Sequence, residues 1–295
     1  MQSEQKVYTM KKRKQLFYYL WTGAIFLSLI LVLFSLVFAS CSGPAGAAEP
    51  DETPPASAGP GESAAPGEST APGESAAPGT DPPEPTFVIT TDNVELQETE
   101  DYGQEYIDKF VFLGDSTTYG LDAYDIVDST QVWTPANRTF SLFNQSFIRI
   151  LYPETGEELT IPEILSRKQP EYLMITLGVN GISSMDEDYF KSEYLSLIST
   201  IRSASPDTKI IVNTMYPLCA SYDTSSGVTM DKIRAGNEWL KELAAEAGVR
   251  FLNTFSALVG DDGYMPEAYT NGDGLHLNPS SFGIVINYIR THGYQ

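Results

Sequence analysis

Four residues stand where acyl-transfer chemistry can be assembled. Ser116 follows Gly114-Asp115 at the end of an apolar run, Asn180 follows Gly178-Val179, and Asp273-Gly274-Leu275-His276 lies far downstream. A serine hydroxyl becomes an effective nucleophile only when a positioned base removes its proton. The chain has two histidines, His276 and His292, so an imidazole base has almost no other source. Asp273, three residues before His276, is near enough for one turn to hold its carboxylate against the imidazole and fix which ring nitrogen faces the serine. A tetrahedral oxyanion then needs donors, and the amide of Asn180 can supply an N–H just beyond a strand. Each element alone is common in proteins; their joint order and placement make the constellation informative.

Those positions require a scaffold that brings distant segments to one edge. Short apolar runs at residues 109–114, 171–177, 208–214 and 249–253 read as buried strands. Between them, residues 186–203 place Phe190, Tyr194, Leu197, Ile198 and Ile201 on one helical face, and residues 229–247 form a second helix that Gly248 can stop. A last helix starts at Asn278-Pro279-Ser280, a capping residue followed by proline in the first turn. A helix over 101–108 and a hairpin over 147–159, turning at 153–156, complete the expected elements. Alternation of strand and helix implies an α/β fold with a parallel sheet covered on both faces. In such sheets functional groups collect beyond the carboxyl ends of the strands, where Ser116 and Asn180 fall.

These residues resemble the SGNH, or GDSL-like, hydrolase superfamily over roughly residues 110–290. Gly114-Asp115-Ser116 is similar to its first block, Gly178-Val179-Asn180 to its third and Asp273-Gly274-Leu275-His276 to its fifth. The resemblance implies a flavodoxin-like three-layer α/β/α sandwich with a mainly parallel sheet. It also implies a serine esterase, with Ser116 as nucleophile, His276 as base, Asp273 as its orienting acid and Asn180 as oxyanion donor, and no metal or other cofactor. Two departures stand out. Gly181 occupies the place where the third block usually has Asp, and no glycine occurs between Leu121 and Thr155 to supply the second-block backbone N–H. Asn137, in Pro135-Ala136-Asn137-Arg138, is the best substitute by position, because Asn tolerates left-handed backbone better than most residues. Trp133, nearby, reads first as a core residue, with a sugar-stacking face as the lesser alternative.

Composition sets the surroundings. The formal net charge is −21, and the basic cluster Lys11–Lys14 stands apart from an acidic remainder, which disfavours nucleic acid as a partner. Residues 15–40 carry no charge and suit a membrane-spanning helix, yet Phe38-Ala39-Ser40-Cys41 also reads as a lipoprotein signal that would leave Cys41 lipidated. Residues 1–41 are therefore an anchor or a lipoprotein signal, with the remainder outside the cell membrane. Residues 42–86 repeat Ala-Pro-Gly-Glu-Ser, hold eight acidic and no basic residues, and form an extended linker of up to ~140 Å. Residues 87–295 form the folded domain. Cys219 reads as a small buried hydrophobe, and His292, beside Gly293, as a non-catalytic residue.

The function expected from all this is an extracytoplasmic serine hydrolase that cleaves or transfers small O-acyl groups, acetyl on carbohydrate above all, through an acyl-enzyme. Two alternatives stay open: a catalytically weak glycan-binding relative, and a lipase or lysophospholipase type of esterase.

Overall fold

The computed structural model describes residues 88–295. The membrane or signal segment, Cys41 and the linker lie outside the described residues. Among the described residues no helix is long and apolar enough to cross a membrane.

Four apolar runs become the strands expected of them: β1 (Phe110–Gly114), β5 (Tyr172–Thr176), β6 (Lys209–Asn213) and β7 (Arg250–Leu252). A two-residue strand, β2 (Val132–Trp133), joins the edge. The sheet order is β2-β1-β5-β6-β7 and every pairing is parallel. Counted along the chain, that is the 2-1-3-4-5 order of flavodoxin-like sheets. All five residues of β1 and of β5 are buried, which is why these strands read as continuous apolar runs rather than alternating ones.

Alternate residues of β1 feed opposite cores. Val111 and Leu113 pack with α3 (Ile161–Arg167), α4 (Glu187–Ala204) and α5 (Met230–Ala247), whereas Phe110 and Phe112 pack with α1 (Gly103–Ile107), α2 (Ser116–Ala123), α6 (Phe255–Leu258) and α7 (Pro279–Arg290). The predicted face of α4 is the buried one. Gly248 caps α5 in the left-handed conformation, and Asn278 caps α7 by accepting from Ser281 N–H. The expected hairpin is present as an antiparallel pair, β3 (Ile150–Leu151) with β4 (Glu158–Leu159).

Two elements were not expected from the sequence. Helix α3 follows a Thr160/Glu163 capping box, a legible start signal for a helix of only seven residues. Strand β2 is too short for any periodicity to register. Trp133, within it, is 1% exposed and packed in the core, so it offers no stacking face to a sugar.

Candidate active site

Gly114 ends β1, and the chain turns directly into α2 with Ser116 as its first residue. The turn needs glycine because a Cβ at position 114 would lie 2.0 Å from Thr118 Oγ1 and 2.7 Å from the Thr176 carbonyl. Asp115 caps α2: one carboxylate oxygen accepts from Thr117 N–H (2.9 Å) and Thr117 Oγ1 (2.7 Å). Its other oxygen accepts from Asn180 Nδ2 at 2.8 Å. This carboxyl is fully buried, and burial pushes its pKa up to about 6 against the pull of the Thr117 bonds.

The opposite side of the site is a tight loop between α6 and α7. Asp273 Oδ1 accepts from both Leu275 N–H and His276 N–H at 2.9 Å, and Asn271 N–H donates to the His276 carbonyl. The loop also docks on the body through Cys219 N–H, which donates to the Gly274 carbonyl. Asp273 Oδ2 lies 2.7 Å from His276 Nδ1, and His276 Nε2 lies 2.9 Å from Ser116 Oγ. A carboxylate only accepts, so Nδ1 carries the proton and the Nε2 lone pair faces the serine hydroxyl. Burial pulls the Asp273 pKa up, but the N–H groups of His276 and Leu275 and the imidazole together hold it below the ordinary carboxylate value.

Asn180 arrives on the loop after β5, with its amide already engaged. Nδ2 donates to Asp115 and, at 3.2 Å, to the Phe140 carbonyl. Both amide hydrogens thus have protein acceptors. Gly181 is explained by packing, since a Cβ there would meet Met185 Sδ at 2.8 Å and Ser141 Oγ at 3.5 Å. An Asp at this position would have to push the end of the Met185 side chain aside.

The second-block segment differs from expectation in one residue. The left-handed position is Arg138, with φ 60°, rather than Asn137, whose side chain instead accepts from Thr139 N–H. Arg138 N–H donates to the Pro135 carbonyl at 2.8 Å. Neither the Arg138 nor the Thr139 N–H is therefore turned to an oxyanion, and the segment meets the site through the Phe140 peptide.

Ser116 and His276 open on a cleft of about 250 Å³ walled by Tyr119, Tyr124, Phe282 and Asn271. A much smaller cavity of about 10 Å³ lies against Asp115, between Val179, Met215, Tyr216 and Leu275, with room for about one water. Sequence reasoning did not single out the aromatic walls, although Tyr119 stands three residues after Ser116 on one helix and so shares its face. Cys219 is buried, which pushes its thiol up to about 11 and keeps it protonated. His292 stacks on Tyr288 at 3.7 Å. Among the described residues no group of His, Cys, Asp and Glu side chains is arranged to hold a metal.

Several solved structures are similar to the chain at low identity. A GDSL-like lipase from Bacteroides thetaiotaomicron is 17% identical with a TM-score of 0.44, covering 62% of this chain and 91% of its own. A carbohydrate esterase family 3 protein from Talaromyces cellulolyticus is 16% identical with a TM-score of 0.40, covering 61% and 93%. A family two carbohydrate esterase from Clostridium thermocellum is 15% identical with a TM-score of 0.41, covering 61% of each. No curated protein matches the chain in sequence. The model of the GDSL-like Lipase/Acylhydrolase family matches residues 112–281, from β1 to the first turn of α7. With that match over more than half of its length, the chain belongs to the GDSL-like lipase/acylhydrolase family and is an ester hydrolase.

Proposed function

We propose that this hydrolase removes acetyl or another small acyl group from an O-acylated carbohydrate, with Ser116, His276 and Asp273 as its triad. The observation that carries the reading is the continuous relay of contacts from Ser116 Oγ through both ring nitrogens of His276 to Asp273. Ser116 attacks the ester carbonyl as His276 takes its proton; as the C–O bond to the sugar breaks, His276 gives that proton to the departing sugar oxygen, which leaves as a hydroxyl. Water attacks the acyl-enzyme by the reverse proton path; a second sugar hydroxyl in its place would make the reaction a transfer.

The oxyanion forms beside the start of α2, where the Ser116 N–H and the helix dipole favour negative charge. Asn180 joins by exchanging its longer bond, to the Phe140 carbonyl, for one to the oxyanion, while its shorter bond to Asp115 keeps the amide aimed. A cleft of about 250 Å³ is small beside the roughly 300–1,000 Å³ of pockets for drug-sized ligands, and its aromatic walls suit a sugar ring better than a long acyl chain. Residues 1–41 tether the enzyme to the outer face of the cell membrane and residues 42–86 let it reach its substrate, a placement tested by fractionation of cells and by fatty-acid labelling of wild type against Cys41→Ala.

Acetate release from a short aryl acetate by the full-length chain tests the chemistry. Ser116→Ala and His276→Ala should each lower the rate by about 10⁴-fold or more, and a serine-directed phosphonate should label wild type but not Ser116→Ala. Rates equal to wild type in either variant would remove the triad. The committed amide of Asn180 and the missing second-block glycine favour one rival, a glycan-binding relative without turnover. Saturable binding of acetylated glycan with no acetate release and no labelling would establish that rival instead.

A further inference from the structure

The feature that the proposed reaction leaves unused is Arg138. It is an exposed arginine held at φ 60°, a conformation that costs a residue with a long side chain and that concentrates at functional sites. Its guanidinium carbon lies 3.7 Å from the centre of the Tyr119 ring, and Nη2 donates to the Tyr119 hydroxyl at 2.8 Å. Tyr119 is a wall of the cleft that holds Ser116 and His276. Two residues beyond Arg138, the Phe140 carbonyl accepts from Asn180, so the same short segment reaches both the nucleophile side and the amide side of the site.

The charge of Arg138 is not neutralised within the domain. Lys109, Arg149, Arg167, Lys168 and Arg290 each pair with a carboxylate, whereas among the described residues Arg138 has none and makes only its contacts with Tyr119. A chain of net charge −21 therefore presents a positive group against Tyr119, one wall of its cleft. Stacking on a ring fixes the guanidinium plane and leaves most of its five donors for a partner. A planar fork of this kind matches a carboxylate bidentately, which a point charge does not.

We propose that Arg138 selects substrates whose sugar carries a carboxylate near the acylated hydroxyl, a uronic acid or a carboxyalkyl ether. This rests on the hydrolase reading above. It assigns the site an acidic glycan that the protein's overall charge would otherwise repel, with recognition confined to one fixed group rather than spread over a basic surface.

The test compares acetate release by the full-length chain from two oligosaccharides: acetylated oligogalacturonate, and the same oligomer with its carboxyls converted to neutral amides. Wild type should favour the acidic oligomer by about tenfold in kcat/KM, chiefly through KM. Arg138→Gln should bring the ratio of the two values to about one, and Arg138→Lys should restore only part of it. An unchanged ratio in Arg138→Gln, or a fall by the same factor on both oligomers, would overturn the proposal and mark the residue as structural. Cleavage of aryl acetate by wild type with no turnover of either oligomer would also overturn it, while leaving the hydrolase reading intact. Failure of wild type on aryl acetate as well would remove both.

Discussion

Asp115 stands next to Ser116 and Asp273 three residues from His276, and their surroundings push them in opposite directions. Asp115 sits at the buried end of β1 with its carboxyl sealed between Thr117 and Asn180, and its pKa rises to about 6. Asp273 sits in a half-exposed loop, wrapped by N–H groups of its own turn, and its pKa falls. One carboxyl ties the strand end to the loop after β5; the other holds a negative charge against an imidazole that, in the proposed reaction, becomes positive. The same side chain is a strut in one region and an electrostatic partner in the other, and the environment alone decides which.

The largest effect separating the two should come from Asp273→Asn. An amide at that position presents a donor where Nδ1 needs an acceptor, and kcat on aryl acetate should fall by about 10⁴-fold with little change in KM. A loss below about tenfold would show that the His276 tautomer is fixed by something else. Asn180→Ala should cost about 10²–10³ in kcat, with lower stability, since Asp115 loses a buried donor. Normal catalysis with lower stability would make Asn180 a strut like Asp115.

Asp115→Asn sharpens the contrast through pH. In the folded state Asp115 holds its proton up to about pH 6, against an ordinary value of 3.8, so ionising it weakens the fold. Relative to Asp115→Asn, wild type should be most favoured below about pH 4 and should lose on the order of 3 kcal/mol by about pH 6, read from denaturant midpoints across that range. For Asp273, whose folded pKa is lowered, the difference between wild type and Asp273→Asn should run the other way, with stability present above pH 3.8 and lost as pH falls. A flat Asp115 profile would mean that its carboxyl does not ionise there. The smallest effect belongs to Thr117→Val, which removes one hydroxyl bond to Asp115 and should destabilise by about 1 kcal/mol while sparing kcat.

The sequence made the frame of the molecule legible because its strands are buried on both faces. Such strands are written as unbroken apolar runs, and the helices between them show one apolar stripe each. The grouping of Ser116, His276 and Asp273 was legible for a different reason: a chain with two histidines leaves few ways to build an imidazole base. The surroundings of those groups were not. Nothing local in Val132-Trp133 marks a strand of two residues, because its identity comes from pairing with β1. The commitment of the Asn180 amide depends on a carbonyl 40 positions away in the chain. The left-handed residue in the second block was expected at Asn137 on intrinsic preference, but the bond from Arg138 N–H to Pro135 and the Asn137 side-chain bond to Thr139 move it one position on. Local turn hydrogen bonds outweighed intrinsic preference at this position.

The contact between Ser116 and His276 spans 160 positions of the chain. At a synthesis rate of roughly 5–20 residues per second, a growing chain would display Ser116 for about 8–30 s before His276 is made. Until His276 is made, Ser116 stands without its proposed base, however much of β1 to β6 has folded. In the proposed mechanism, hydrolytic competence dates the emergence of the His276 loop and doubles as a timer for the folding of that part of the domain.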